Sequence, residues 1–323
     1  MKTPLITVAI TAFNIESLIE RCIRSVCKQT FSNLEILIVN DGSTDNTLRT
    51  AEKYRNQDSR IRIISQENHG IAYARNTVLK EANGDWLAFV DGDDYLPEDS
   101  IKMLYNAAIT ADVPLSVGGH YISSSKNEPF YIKAEPVLCK TKEEAQRYFL
   151  TSGNNNLFPW GKLYRQDLYK SIHYEEGKVY EDVRIFPSLL DLAGSCVVVD
   201  KPVYYYCLRS ESITYSSSVS KQMQGLEAVL EYSSYIEKKY PSLYEFASKK
   251  VITFCLYIMG KISASGRTNY QKEWRAVVST LNNQYVNNKI PGLLWNCIRI
   301  AVSIAPGLTG DLCNVFSRVK NGV

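Results

Sequence analysis

The chain opens on apolar runs that alternate with helically spaced segments. Leu5–Ala12 is almost wholly apolar, with Thr7 and Thr11 in strand alternation, and it predicts a buried strand. Glu16–Lys28 then predicts a helix, Leu34–Asn40 a strand, Asp45–Tyr54 a helix, Ile61–Ser65 a strand and Gly70–Ala82 a helix. Trp86–Val90 is a further strand, stopped by Asp91-Gly92-Asp93-Asp94, and Pro97 opens the next helix where the missing N–H does no harm. Such alternation predicts an α/β domain with a mostly parallel central sheet.

Between residues 114 and 215 the pattern loosens to short strands, Val113–Gly118 and Cys196–Asp200, among polar loops, with a helix over Val183–Leu190 despite Pro187. From residue 220 onward the spacing is helical. Four serines within 216–220 resemble a linker, which predicts two parts: a catalytic α/β domain over 1–215 and a helical region over 216–323.

The chain's 323 residues, 45% of them hydrophobic, suffice for a real core, and a net charge of +3 gives no footing for nucleic acid. The charge is uneven, however. Residues 216–323 hold 13 Lys+Arg against 6 Asp+Glu, and residues 1–215 hold 24 against 28. A basic rear part suits an anionic surface as well as an ordinary solvated face. The eight cysteines form no CxxC pair and several lie in apolar runs, which suits buried thiols in a reducing compartment. Three scattered histidines argue against zinc.

The apolar N-terminal run has no small-residue cleavage site, and no stretch reaches the roughly 20 apolar residues of a membrane span. The expected location is the cytoplasm, free or peripheral on the inner face of the plasma membrane. Gly292–Ile304 carries polar residues only at Asn296, Arg299 and Ser303, on one narrow face, and Leu308, Leu312, Val315, Phe316 and Val319 follow at helical spacing. Either stretch suits a membrane interface, and both equally suit packing on a helical core or in a homo-oligomer.

The chemistry concentrates where strands end. Asp91, Asp93 and Asp94 crowd three carboxylates into four positions, and such repulsion is relieved by protons or a cation. Mn²⁺ or Mg²⁺ fits hard oxygen ligands shared with phosphates, whereas an acidic turn ahead of the Pro97 helix needs no metal. Thr11-Ala12-Phe13-Asn14 and Asn40-Asp41-Gly42-Ser43-Thr44-Asp45 end the first two strands at the same sheet edge, where ligands of open α/β sheets bind. Asp41 is suited to accept a hydrogen bond from a base or ribose, and Asp45 to cap the next helix. Arg75, early in its helix, is placed either to counter a diphosphate or to make a structural ion pair.

The blocks ITAFN, VNDGSTDNT, ENHGIAYARN and NGDWLAFVDGDDYL together resemble family 2 glycosyltransferases of the GT-A fold. The resemblance implies inverting transfer of a sugar, usually from a UDP-sugar donor. It implies that Thr11, Phe13, Asn14 and Asp41 line the nucleoside pocket. Asp91, with Gly92 beside it, and Asp93 would bind the diphosphate through metal, and Asp94 would lie near the sugar. Phe158-Pro159-Trp160-Gly161-Lys162-Leu163-Tyr164 is similar to the family's acceptor-side segment, which brings in Trp160 and Lys162. Glu176–Asp182 is similar to its Glu-Asp motif, so Asp182 is the expected base and Glu181 the fallback. Tyr204–Thr214, with Arg209 and Ser212, resembles a loop that closes over donor phosphates, although Cys207 and Glu211 depart from its pattern. The family setting implies a bacterial surface polysaccharide and a lipid-diphosphate-linked glycan as acceptor.

By residue logic alone, Asp182 is better read as an N-cap of the Val183–Leu190 helix, whose N-terminus would lower its pKa, and it is the resemblance that makes it the expected base. Trp160 equally suits a core. Inverting transfer needs one base and a stabilised diphosphate leaving group, whereas glycoside hydrolysis needs a flanking carboxyl pair. A sugar-nucleotide pyrophosphorylase or a nicotinamide dehydrogenase would want a glycine-rich loop after the first strand, where Thr11–Asn14 stands. A catalytically silent scaffold subunit of a polysaccharide assembly complex is the rival from outside enzymes.

Overall fold

The computed structural model describes residues 3–124, 128–152, 157–208 and 218–287, with isolated positions between 306 and 313. The described chain divides into two units, Met1–Ser212 and Ile213–Val323.

The first unit is built on strands β1 (Ile6–Ala12), β2 (Leu34–Asp41), β3 (Ile61–Gln66) and β4 (Trp86–Asp91), which pair in parallel in the order β3-β2-β1-β4. Helices α1 (Ile19–Cys27), α2 (Thr47–Arg55) and α3 (Ile71–Glu81) connect them, within three residues of the bounds the periodicity predicts. After α4 (Ser100–Ala111) and β5 (Leu115–Ser123) the sheet becomes mixed. The short strands β6 (Phe130–Ile132) and β7 (Val137–Cys139), helix α5 (Lys142–Thr151), β8 (Lys162–Arg165), α6 (Glu181–Ala193) and β9 (Cys196–Cys207) complete it. β8 runs antiparallel between β4 and β5, and β9 lies parallel to β5.

The sheet is apolar on both faces because two layers cover it. Ile6, Val8 and Ile10 of β1, with Ile36, Ile38, Ala88 and Val90, pack against α1 and α4. The alternate residues Ala9, Leu37, Val39, Leu87 and Phe89 pack against α3, α5 and α6. This period of two, buried on both sides, is why the strands carry so few polar residues.

Some elements were not evident from the pattern. α5 starts with a reciprocal capping box between Thr141 and Glu144, and Phe149 is its buried anchor. β8 is only four residues long, and β9 extends seven residues beyond the predicted Asp200 through the tyrosine run to Cys207.

Among its described residues the second unit has the long helices α7 (Val219–Lys239), α8 (Tyr244–Ser265) and α9 (Gln271–Asn287) around a core that includes Leu226, Val251, Cys255, Ile258, Val277 and Leu281. No helix among the described residues is long and apolar enough to cross a membrane. The Gly292–Ile304 stretch and the apolar positions 308, 312, 315, 316 and 319 lie outside the described residues.

Candidate active site

Parallel register brings three strand ends to one edge: Thr11 pairs with Asp91 across β1 and β4, and Ala12 with Asn40 across β1 and β2. The turn after β4 is pulled against β1 by a hydrogen bond from the Gly92 N–H to the Thr11 carbonyl, 3.0 Å. A Cβ on Gly92 would come 2.5 Å from Ile15 Cδ1 and 2.8 Å from that carbonyl, so only glycine fits. Gly92 therefore shapes the turn through its missing side chain.

The nucleoside-side residues occupy the adjoining loops. Phe13 is 47% exposed, an aromatic face open to solvent at the sheet edge. Asn14, at φ 48, accepts a hydrogen bond from the Thr44 N–H, 2.8 Å, and its own N–H donates to Ser43 Oγ, 3.1 Å. It thereby ties the β1 loop to the β2 loop. Thr11 is buried. Asp45 accepts from the Thr47 N–H, 2.9 Å, but the N-cap position of α2 is Asn46, so Asp45 ties the entry to the helix from one position ahead of the cap. Asp41, expected to accept from a base or ribose, has partners within the protein. Its buried carboxylate accepts from Gln66 Nε2 (2.7 Å) and from the N–H groups of His69 (3.1 Å) and Gly70 (2.8 Å), so it organises the entry to α3.

Arg75 is the centre of the charged cluster. It is 5% exposed, pairs with Glu181 through Nη1, and reaches Asp91 Oδ1 through Nη2 at 3.2 Å. Its charge is thus committed to a buried ion-pair network between β4 and α6, the structural alternative of the two the sequence left open. Its Nε has no hydrogen-bond partner among the described residues. Asp91 keeps 28% of its side chain exposed. Burial and the Asp93 charge raise its pKa, and Arg75 opposes that. Asp93 is half-buried beside it, and its carbonyl accepts from Arg21 Nη2, 2.9 Å.

Asp94, the residue expected near the sugar, is held inside the protein. It is 1% exposed, and its carboxylate accepts from Tyr204 Oη at 2.8 Å and from the Cys207 N–H at 2.7 Å. Burial and the neighbouring aspartates push its pKa well above the usual range. Trp160 is likewise interior. Its ring stacks on Tyr204 (4.4 Å between centroids, 9°) and on Phe158 (4.7 Å, 7°), with His120 edge-on at 5.0 Å, so it is the core tryptophan of the two alternatives. Lys162 is buried, and its ammonium donates to the Phe158 carbonyl, 2.6 Å. Burial holds its pKa well below the lysine range, against the pull of Asp182.

Asp182 lies in the first turn of α6. The N-cap position is Tyr180, in left-handed conformation at φ 60, so Asp182 is not the cap. Its Oδ1 accepts from the Val183 N–H, 2.8 Å. A helix N-terminus alone would lower its pKa, yet burial and the Glu181 charge raise it to about 7 against the pull of Arg75. Arg209 and Ser212 lie outside the described residues.

Among the described residues no set of three or more His, Cys, Asp or Glu side chains converges to hold a metal ion. Asp91 and Asp93 offer two hard carboxylates at the sheet edge. That donor set fits a Mg²⁺- or Mn²⁺-sized cation only if substrate oxygens complete the shell.

Residues 7–172, half of the chain, match the family model described as Glycosyl transferase family 2. The chain belongs to that family. It is a glycosyltransferase, like the curated relatives it resembles. Glycosyltransferase GlyA of Streptococcus pneumoniae serotype 4 is 30% identical over 223 residues, 65% of this chain but 31% of GlyA, so the chain spans about a third of that relative. The uncharacterized glycosyltransferase EpsJ of Bacillus subtilis is 32% identical over 230 residues, 68% of this chain and 67% of EpsJ. Among solved structures, S. aureus TarS 1-349 in complex with UDP-GlcNAc aligns with a TM-score of 0.68 at 19% identity, covering 98% of this chain and 92% of that one. The family 2 chain thus has a GT-A-like fold, a mixed, mostly parallel sheet followed by a helical region.

Tyr204 and Arg21 at this edge were not singled out from the sequence as site residues. The signal for Tyr204 was present, since a strand through Tyr204-Tyr205-Tyr206 must send its first and third rings to one face.

Proposed function

We propose that the protein transfers a sugar from a UDP-sugar to a hydroxyl of a glycan acceptor with inversion at the anomeric carbon. The observation that carries this is the pairing of Asp182, at a pKa of about 7, with a carboxylate pair at the sheet edge, both ends held through Arg75. In the proposed step the acceptor oxygen attacks the anomeric carbon, its proton passes to Asp182, and the bond from that carbon to the diphosphate oxygen breaks. A pKa near neutrality makes Asp182 a stronger base than an ordinary aspartate while leaving much of it ionised. Asp91 and Asp93 would hold Mn²⁺ or Mg²⁺, which when bound neutralises charge on the departing diphosphate. On this proposal Phe13 stacks on the uracil, and Asn14 keeps that loop in position.

UDP as the nucleotide is supported by the UDP-GlcNAc in the TarS structure of similar fold. A lipid-diphosphate-linked acceptor in surface-polysaccharide synthesis, with a peripheral position at the inner face of the plasma membrane, agrees with the basic balance of residues 216–323. On this proposal residues 1–215 carry the chemistry and 216–323 contact acceptor, membrane or a second copy.

The test is calorimetric titration with UDP, with and without Mn²⁺, followed by UDP-release assays on a panel of UDP-sugars and glycans. Metal-dependent UDP binding, lost in Asp91→Ala/Asp93→Ala, is expected. Asp182→Asn should retain UDP binding and lose transfer by about 10²-fold or more. Full activity in Asp182→Asn removes it as the base, and absence of UDP binding removes the donor assignment.

A further inference from the structure

We propose that Tyr204 is a positioning residue for the metal–diphosphate site, holding the turn that carries Asp91 and Asp93 through a buried hydroxyl. The inference rests on the proposed role of those two carboxylates.

The hydroxyl is fully used in both directions. It donates to Asp94 Oδ2 at 2.8 Å and accepts from the Asp91 N–H at 3.0 Å. The other Asp94 oxygen accepts from the Cys207 N–H at 2.7 Å, three residues further along β9. Two points of β9 therefore grip both ends of the Asp91–Asp94 turn. A fourth hydrogen bond, from Arg21 Nη2 to the Asp93 carbonyl at 2.9 Å, closes the side facing α1, and the same Nη2 lies 3.1 Å from Cys207 Sγ.

The ring of Tyr204 has no freedom to follow a shifted turn. It is fully buried and lies flat against Trp160, which in turn lies flat against Phe158. The stack fixes the ring plane, and the ring fixes where its oxygen sits. Asp91 and Asp93 are separated by one glycine that no other residue could replace, so moving the Asp91 N–H moves both carboxylates together. Outer groups of this kind orient metal ligands, and their loss costs about 10- to 100-fold in metal affinity. The buried Asp94 and Trp160 act here through Tyr204: one anchors its hydroxyl and the other its ring.

The test uses the full chain and Tyr204→Phe, which keeps the ring and its stacking and removes the hydroxyl. Mn²⁺ binding is measured calorimetrically at fixed saturating UDP, UDP binding is measured separately without metal, and thermal unfolding is followed in parallel. The expected result is Mn²⁺ affinity reduced about 10-fold or more, with metal-free UDP affinity within twofold of wild type. Tyr121→Phe keeps the ring that stacks on Tyr205 and should bind Mn²⁺ like wild type. Asp94→Asn breaks the same grip from its other end and should show the same loss, and it decides the matter if Tyr204→Phe does not fold. Mn²⁺ affinity within threefold of wild type in the folded variants overturns the proposal. So does an equal loss in Tyr121→Phe. UDP binding by the wild type that ignores Mn²⁺ overturns the metal role of Asp91 and Asp93 itself, and that outcome is read before any variant is made.

Discussion

Glu181→Gln tests the electrostatics of the base most directly. Asp182 stands at about 7 because burial and the neighbouring Glu181 charge raise it, while Arg75 pulls it down. The substitution removes the first of those charges and leaves Arg75 in place, so both effects lower the pKa. At roughly 6 Å and an effective dielectric of 20 to 40, one like charge contributes about 1.4 to 3 kcal/mol. That is about one to two pKa units at 1.36 kcal/mol per unit. The assay is UDP release from a UDP-sugar and acceptor at saturating Mn²⁺, run from pH 5 to 9. A base must be deprotonated, so wild-type activity should rise with pH through a midpoint near 7 and fall to about a tenth of its plateau at pH 6. In Glu181→Gln the midpoint should move to about pH 5–6. The plateau should fall as well, because a weaker base removes the proton less readily. Arg75 loses a buried partner, and breaking a buried pair costs about 3–5 kcal/mol, so rates belong well below the unfolding transition. A midpoint unchanged within a few tenths of a unit, or a flat wild-type profile from pH 5.5 to 8, would refute the reasoning.

Two further predictions concern the same edge. Gly92→Ala forces a methyl into Ile15 Cδ1 and the Thr11 carbonyl, and it should destabilise the fold by about 1–3 kcal/mol, read as a lowered denaturant midpoint at unchanged slope. Phe13→Ala removes a ring that is 47% exposed. It should leave the melting temperature unchanged while weakening UDP binding by about 1–3 kcal/mol, measured calorimetrically, as expected for loss of a stacked base.

What the sequence made legible follows from range of interaction. β1 to β4 and α1 to α3 were readable because each is long enough to show its period, and because burial on both faces leaves continuous apolar strands. β8 has only four residues and owes its place to β4 and β5 on either side, partners that no local pattern reports. The strand ends carrying Thr11, Asp41 and Asp91 were placed at one edge by topology alone. What Asp94 and Arg75 do there depends on contacts more than 100 residues away in sequence. Asp94 points inward because Tyr204 and Cys207 supply donors, and Arg75 is bound up because Glu181 arrives beside it. Asp182 shows the same limit in its sign. Its position in the first turn of α6 argues for a lowered pKa, and the burial that reverses this is a tertiary property. One buried guanidinium thus joins the carboxylate at the end of β4 to the helix that carries the proposed base. Any ligand that draws Asp91 away from Arg75 leaves more of that positive charge to Glu181. The field at Asp182 therefore depends on whether the sheet edge is filled, and the base is electrostatically linked to the donor side without touching it.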